Sequence, residues 1–365
     1  MPPEVRGGTL GAAVTWGTFG LLVGLWGVTA VGRVWRAPPA SFAATVTFLP
    51  YEYAMLGAWT FGVWTLVPDR RLPPATLAAV VLTAAALWGP SLARTADPTV
   101  GLPLRVATWN VRRLWGPATA LGRPEERRRA VACVVEGVEQ IKPDVVALLE
   151  VSAVDIGDLS ARLNLSCIHG DYMGVDQEDL GGLAVCTRGD AWAIRSGERR
   201  QFVDDQDWSY AFAEVAHEDH VLNVFAVHLQ PYAFGTSRIR KRLGQGDPQA
   251  LIALSRHGDS VSRTQVDQSA ALLDQMERMK DPAIVLGDFN STRDTALHTA
   301  LRRVLVDTWQ AGGRGFGPTV RFLDLLPLRV DYVYASRTLG VVSASVPALD
   351  CSDHRPVVSD LRLPR

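Results

Sequence analysis

The chain lacks the basic excess expected of a protein that grips long nucleic acid. Its 365 residues hold 37 Lys and Arg against 38 Asp and Glu. Residues 1–100 contain six Arg and four acids, so residues 101–365 carry 31 basic against 34 acidic groups, a charge of −3. Binding along a phosphate backbone usually goes with the opposite sign, although a local basic patch stays open. Cysteine is scarce: Cys133, Cys167, Cys186 and Cys351, with no CxxC spacing. That argues against a structural zinc site. The four are expected to be buried thiols. Cys167 and Cys186 both lie in apolar, strand-like runs and could pair in an oxidising compartment. The sequence also has no internal repeat and no low-complexity tract.

Charge is missing altogether from residues 7–32, a run of 26 rich in Leu, Val, Gly and Trp. At ~1.5 Å per residue such a run crosses a hydrocarbon core of about 30 Å. Leu72–Ala93 is a second uncharged run, and between them Phe48–Val67 is apolar and aromatic with one acid, Glu52. The pattern predicts an all-α transmembrane region over residues 1–95, with helices near 9–32, 48–67 and 72–93. A signal peptide is the bland alternative for the first run. It is too long, has no clear small-residue cleavage site, and is followed by a second span. The flanking arginines tie in the positive-inside count: Arg6, Arg70 and Arg71 on one side, Arg33, Arg36 and Arg94 on the other. Three spans with the amino terminus in the cytoplasm would put the rest of the chain outside, and that orientation is the expectation for an integral protein of a bacterial cell membrane.

Residues 96–103, with two Pro and a Gly, read as a linker. From Leu104 the pattern alternates strand and helix, so residues 104–365 form an α/β domain with helices outside sheets. Strands are expected at Leu104–Trp109, Val145–Leu149, Leu183–Cys186, Val221–Val227, Ala283–Leu286, Val330–Tyr334 and Val357–Leu361. Helices are expected at Glu125–Ile141, Asp155–Leu163 and Ser260–Lys280. Ser237–Gln249 is polar and reads as a loop insertion.

Six segments set a polar residue at the end of an apolar strand: Trp109-Asn110, Leu149-Glu150, Val227-His228, Gly287-Asp288-Phe289-Asn290, Val330-Asp331-Tyr332 and Ser352-Asp353-His354. Strand-end loops on a rigid scaffold are where active sites collect. One Asp after a strand is usually a cap or turn residue. Six such positions are hard to explain by capping. Carboxylates and amides offer hard oxygens for a divalent cation, and histidine changes charge near neutral pH. The set suits metal-assisted attack of water on a phosphate.

With these motifs the chain resembles the endonuclease/exonuclease/phosphatase superfamily, the fold of DNase I, apurinic endonucleases, sphingomyelinases and inositol-phosphate 5-phosphatases. The resemblance runs over about residues 104–362. It rests on Thr108-Trp109-Asn110-Val111, Ala147-Leu148-Leu149-Glu150-Val151, Gly182-Leu183-Ala184-Val185, Val227-His228-Leu229, Gly287-Asp288-Phe289-Asn290, Arg329-Val330-Asp331-Tyr332-Val333 and Ser352-Asp353-His354-Arg355-Pro356. The Gly315-Phe316-Gly317-Pro318-Thr319 turn looks like the membrane-anchored bacterial branch. The resemblance implies a four-layer α/β/β/α sandwich, DNase I-like, behind the membrane region. It implies Mg2+, with Mn2+ as a substitute, held by Glu150 as principal ligand, Asn110 beside it and Asp353 completing the site. Asp288 would orient or deprotonate the attacking water. Asn290 would hold that water or a phosphate oxygen. His228 and His354 would contact the phosphate, and Asp331 would orient a histidine. The endonuclease branch often carries an acid two residues after the first Asn. Here that position is Arg112, which puts a second metal ligand and a DNA-repair role in doubt.

The expected function is therefore a membrane-anchored, Mg2+-dependent phosphoester hydrolase whose partners are a phosphate-ester substrate and the lipid bilayer. A lipid headgroup and extracytoplasmic nucleic acid are competing substrates. A catalytically inactive module that binds phosphate ligands is the alternative from another class. His217, His220, His257 and His298 sit in polar stretches and are expected to be solvated, and His169 is left near the site without a role. Gly170–Gly181, Glu198–Tyr210 and Pro231–Ser260 are expected to be the specificity loops.

Overall fold

The computed structural model describes residues 97, 99–114, 124–171, 181–189, 191–202, 209–231, 241–242, 244–293, 295–322 and 326–364. The three expected spans lie outside the described residues, as do Trp115 and most of the Gly170–Gly181 loop. Among the described residues no helix is long and apolar enough to cross a membrane.

Two six-stranded sheets pack face to face. The first has the order β13-β14-β1-β2-β4-β3, with β1 Leu102–Asn110, β2 Val145–Val151, β3 Leu165–Asp171, β4 Gly182–Arg188, β13 Gly340–Ser345 and β14 Val357–Leu363. The second has the order β5-β6-β7-β8-β12-β9, with β5 Ala193–Gln201, β6 Ser209–His217, β7 His220–His228, β8 Ala283–Asp288, β9 Leu305–Asp307 and β12 Asp331–Ser336. A two-stranded ribbon, β10 Val320–Phe322 and β11 Leu326–Leu328, stands beside them. In each sheet one central pair is parallel, β1 with β2 and β7 with β8. These strands are apolar almost throughout because both of their faces are covered.

The inner layer between the sheets is aliphatic, built from Val106, Ala147, Leu149, Val185, Val224, Ala226, Ile284, Leu286 and Val333 among others. Outside the first sheet, helices α1 Pro124–Ile141 and α2 Ala153–Leu163 bury Val134, Val138, Ile156 and Leu159 against Trp109 and Leu148. Outside the second, α3 Pro248–Glu277 and α4 Ala296–Val304 bury Leu272, Leu297 and Leu301 against Phe225, Phe289 and Tyr334. A short helix α5, Thr308–Gly312, follows β9. The described residues thus form the expected four-layer α/β/β/α sandwich.

Several local expectations change. The long helix begins at Pro248, not Ser260, capped by Asp247 with Pro at its first turn, so its first half replaces part of the expected Pro231–Ser260 loop. Glu198–Tyr210 is only partly a loop, since β5 runs to Gln201 and β6 starts at Ser209. Strand β5 is mostly exposed and rich in Arg. Charge on an edge strand blocks edge-to-edge pairing and also erases the apolar alternation that marks a strand. The cysteines are not free thiols. Cys133 of α1 is bonded to Cys351, and Cys167 of β3 to Cys186 of β4, leaving no free cysteine among the described residues. Cys167 and Cys186 face each other in register across the β3–β4 ladder. His298 is fully buried under the second sheet rather than solvated.

Candidate active site

The second sheet lays its polar residues in one row. Antiparallel pairing sets Asp331 opposite Asp288, and parallel pairing sets His228 beside Asp288. Because the side-chain period of a strand is two, register alone sends all three to the same inner face. Gly287 lets β8 close on β7: at φ 149° a Cβ there would lie 1.8 Å from the Val227 carbonyl oxygen. Asp288 is buried. Its Oδ1 accepts the Asn290 N–H at 2.8 Å, and its Oδ2 accepts from Asn110 Nδ2 at 3.2 Å. His228 Nε2 is 3.5 Å and His354 Nε2 is 3.9 Å from Asp288 Oδ2.

The first sheet reaches the same point by less regular means. Asn110 ends β1. Glu150 sits on a bulge of β2, where the ladder to β4 shifts between Leu149 and Val151, and it has φ 54°. A bulge re-aims a side chain at the cost of a strained backbone. Gly181, at φ 76°, packs on this bulge with its would-be Cβ 3.0 Å from the Glu150 carbonyl carbon. The Val151 carbonyl oxygen, at the bulge, takes a 2.9 Å hydrogen bond from His169 Nε2, so His169 braces the bulge rather than entering the cleft. Arg112, Arg113 and Leu114 follow Asn110 with φ of 46°, 53° and 57°, a left-handed turn disfavoured by roughly 1–2 kcal/mol per residue. Asn290 also has positive φ, 48°.

Asn110 Nδ2 donates to Glu150 Oε1 at 3.0 Å as well as to Asp288, so it ties the two sheets together. Its Oδ1 accepts the Arg112 N–H at 3.0 Å. In this arrangement Asn110 offers the cluster its NH2. It would ligate a metal only after its amide turned and gave up the Arg112 contact.

His354 is held on every side. Its Nδ1 donates to Asp331 Oδ2 at 2.8 Å. Its carbonyl oxygen accepts Trp109 Nε1–H at 3.0 Å, and the next residue, Arg355, donates its N–H to Thr319 O at 2.8 Å. Thr319 Oγ1 in turn accepts the N–H groups of Val330 and Asp331 at 3.1 and 3.2 Å. Three residues before His354, the Cys133–Cys351 disulfide pins the loop to α1.

Burial opposes charge throughout this cluster, and at every group but Asp331 the neighbours outweigh it. For His354, burial favours the neutral ring, but the carboxylates of Asp331 and Asp288 outweigh it and hold the imidazole well above its usual range. His228 is likewise raised, against burial, by its contact with Asp288. Asp288 stays below the usual carboxylate range despite burial because His354 and His228 favour its anion. Burial raises Asp331, partly countered by His354.

The structure therefore unites Asn110, Glu150, His228, Asp288, Asp331 and His354. Asn290 joins through its backbone N–H, while its side-chain Nδ2 donates to Leu229 O at 2.9 Å. Asp353 does not turn into the cluster. It is exposed, and its Oδ2 pairs with Arg112 Nε at 3.3 Å. The donors suit a hard divalent cation: carboxylates of Glu150, Asp288 and Asp331, with one imidazole. Ligand atoms of Asp288, Asp331 and His354 lie within 4.8 Å of one another. The residues that sequence reasoning left without a role are His169, Thr319, Trp109 and the Cys133–Cys351 pair. Thr319 and Trp109 lie inside quoted motifs, so a signal was present for them. Nothing in sequence spacing links positions 133 and 351.

The described residues thus form a two-sheet sandwich with a carboxylate–histidine cluster at its strand ends. The chain belongs to the endonuclease/exonuclease/phosphatase family, which it matches over residues 107–354. Curated relatives are two UPF0294 proteins of Vibrio cholerae, 33% identical over 135 residues, with 35% of this chain and 45% of theirs covered. The chain thus spans under half the length of these relatives. Among solved structures, a family member from Bacteroides thetaiotaomicron is similar at TM-score 0.54 and 16% identity, covering 73% of this chain and 100% of that one. A mannosyl-6-phosphatase of the same organism is similar at TM-score 0.52 and 17% identity, over 71% and 99%. TDP2 of D. rerio complexed with a single-strand DNA product is similar at TM-score 0.51 and 15% identity, over 71% and 98%. At these identities the likeness is one of fold.

Proposed function

We propose that the chain is a Mg2+-dependent hydrolase that cleaves a phosphate ester by attack of water, anchored to a membrane by its residues 9–93. The observation that carries the reading is the joint between the sheets: Asn110 bonded to both Glu150 and Asp288, with His228 and His354 on either side.

Glu150 is the principal metal ligand in this reading. A bound Mg2+ there supplies neutralisation of charge on the phosphoryl oxygens. Asp288 is ionised and faces the cleft, so it orients the attacking water and takes its proton as the oxygen–phosphorus bond forms. His354, kept protonated by Asp331 and Asp288, donates to the departing ester oxygen as the old phosphorus–oxygen bond breaks. Asp331 holds the Nδ1 proton of His354, which leaves Nε2 as the working atom. His228 contacts the phosphate. Asn290 positions Asp288 through its N–H. Asp353 is set aside as a ligand because Arg112 already engages it.

The uncharged runs at 7–32 and 72–93 support a membrane anchor. Two disulfides support placing the folded domain in an oxidising, extracytoplasmic compartment. The test is hydrolysis of bis-p-nitrophenyl phosphate with and without Mg2+. Wild type should turn over only with metal, and Asp288→Ala should lose kcat far more than it raises KM. Equal inactivity of both proteins over a panel of esters would refute the enzyme reading.

A further inference from the structure

We infer that His169 is a positioning residue that sets how tightly Glu150 binds its metal, acting from the outer face of the first sheet without entering the cleft. The inference rests on the reading of Glu150 as the principal metal ligand. It starts from a change of phase along β2. Leu148 packs in the outer layer, against the helices, and Leu149 in the layer between the sheets. Strict alternation would send Glu150 outward and Val151 inward. Val151 instead packs outward with Leu148, because the ladder to β4 shifts between Leu149 and Val151 and Glu150 is the extra residue, at φ 54°. Such a conformation persists only where surrounding contacts hold it. A slip of one residue would restore the alternation and turn the Glu150 carboxylate away from Asn110, its partner at 3.0 Å.

The bulge is held at the Val151 carbonyl oxygen, which accepts a 2.9 Å hydrogen bond from His169 Nε2. A carbonyl only accepts, so Nε2 carries the hydrogen. The reach is long for a side chain on a sheet. Strand β3, which carries His169, is not the neighbour of β2, because β4 lies between them. The imidazole therefore bridges two strand spacings, about 10 Å. It crosses β4 over Gly182, the residue paired with Val151. A Cβ at Gly182 would stand 2.6 Å from His169 Nε2 and 2.5 Å from the Gly170 carbonyl oxygen, so glycine there leaves the ring its path. On β3, Cys167 lies two residues from His169 and so on the same face. Its disulfide to Cys186 fastens β3 to β4 beside the ring. The bulge is thus held by a side chain, a glycine gap and a covalent staple, none of which belongs to the cluster.

Two amides at position 169 separate the hydrogen bond from mere occupancy. A Gln amide reaches about as far as Nε2, whereas an Asn amide reaches only about as far as Nδ1. Mn2+ binding to the full chain in detergent is measured from the free-ion signal in electron paramagnetic resonance, a readout that needs no substrate. His169→Asn should weaken binding roughly 10–100-fold, the usual effect of losing a group that orients a metal ligand. His169→Gln should restore most of it. His169→Ser repeats the loss with a smaller polar group and should give the same weakening. With Glu150→Ala already in place, His169→Asn should add little, because it acts through Glu150 and the two changes are not additive. Equal affinity in wild type and His169→Asn overturns the inference. So does a Gln variant as weak as the Asn variant, or an undiminished loss in the Glu150→Ala background. Mn2+ binding that Glu150→Ala does not weaken would instead refute the assignment of the metal to Glu150, on which the inference rests.

Discussion

The two sheets bring their halves of the cluster together by opposite means. The second sheet uses regular register, so Asp331, Asp288 and His228 follow from ordinary pairing. Beneath that row lies a buried polar network. Arg329 makes a bidentate pair with Asp307 at 3.0 and 2.7 Å and stacks on Tyr332, while His298 bridges Ser291 and Tyr334. The first sheet uses irregularity and covalent bonds. Glu150 sits on a bulge, Arg112–Leu114 is left-handed, and both disulfides lie on this side. Register can align a row of side chains, but it cannot aim one residue out of phase. That takes a bulge, and strain has to be held by other contacts.

The sharpest way to test the division is to remove one group from each half. Asp288→Ala should lower kcat by about 10²–10⁴-fold at saturating Mg2+, the range for a lost proton-transfer group. Glu150→Ala should instead raise the Mg2+ needed for half-maximal rate, with kcat partly recovered at high metal. Steady-state kinetics over a metal titration separates the two. A Glu150 variant insensitive to added Mg2+ would break the assignment of metal binding to the first sheet.

Next in size is the support beneath the second sheet. Arg329→Leu leaves Asp307 buried without its partner, and loss of one side of a buried pair costs about 3–5 kcal/mol. Chemical denaturation should show that loss, and the double variant Arg329→Leu/Asp307→Leu should recover much of it. On the first sheet, replacing Cys133 and Cys351 together by Ser should cost about 2–5 kcal/mol, the usual range for a native disulfide. The bond closes a separation of 218 residues. Because it ends three residues before His354, kcat should fall in this variant even at temperatures where it remains folded. Unchanged kcat would show that Trp109 and Thr319 hold His354 without the disulfide.

The same contrast explains what was legible in the sequence. The buried strands β1, β2, β7 and β8 announce themselves as apolar runs, and the row of Asp288, His228 and Asp331 could be read at their ends because register is local. Glu150 could be placed at a strand end, but not the bulge that aims it. Strand β5 was hidden because its charged edge carries no alternation. The Cys133–Cys351 bond depends on helix α1 meeting a loop more than two hundred residues away, and nothing local encodes that. The motif marks Asp353 as a ligand, but the pairing of its exposed carboxylate with Arg112 is a contact that no local pattern announces. His298 reads as a surface residue by its polar neighbours, although its spacing to Leu297 and Leu301 marks the inner stripe of a short helix.

His298 gives the smallest effect and a test of the second sheet that leaves catalysis alone. It is completely buried. Nε2 donates to the Ser291 carbonyl oxygen at 3.2 Å, and Nδ1 accepts from the Tyr334 hydroxyl at 2.8 Å, a pattern that fits a neutral ring. Burial, then the positive charges of Arg302 and Arg329, hold its pKa well below the usual histidine range. A folded-state pKa below the unfolded value means that the unfolded chain binds the proton more readily. The stability His298 contributes is therefore complete above the unfolded pKa of about 6.5 and falls as pH drops below it. Between pH 7.5 and 5.5 this amounts to about 1.4 kcal/mol. His354 and His228 are shifted the other way, so they oppose this trend in both proteins and cancel on subtraction. Urea midpoints for wild type and His298→Gln at the two pH values isolate the term. The wild type should lose more on acidification than the variant by about that amount. An equal loss in both would mean that the buried network beneath the second sheet does not depend on a neutral ring at 298.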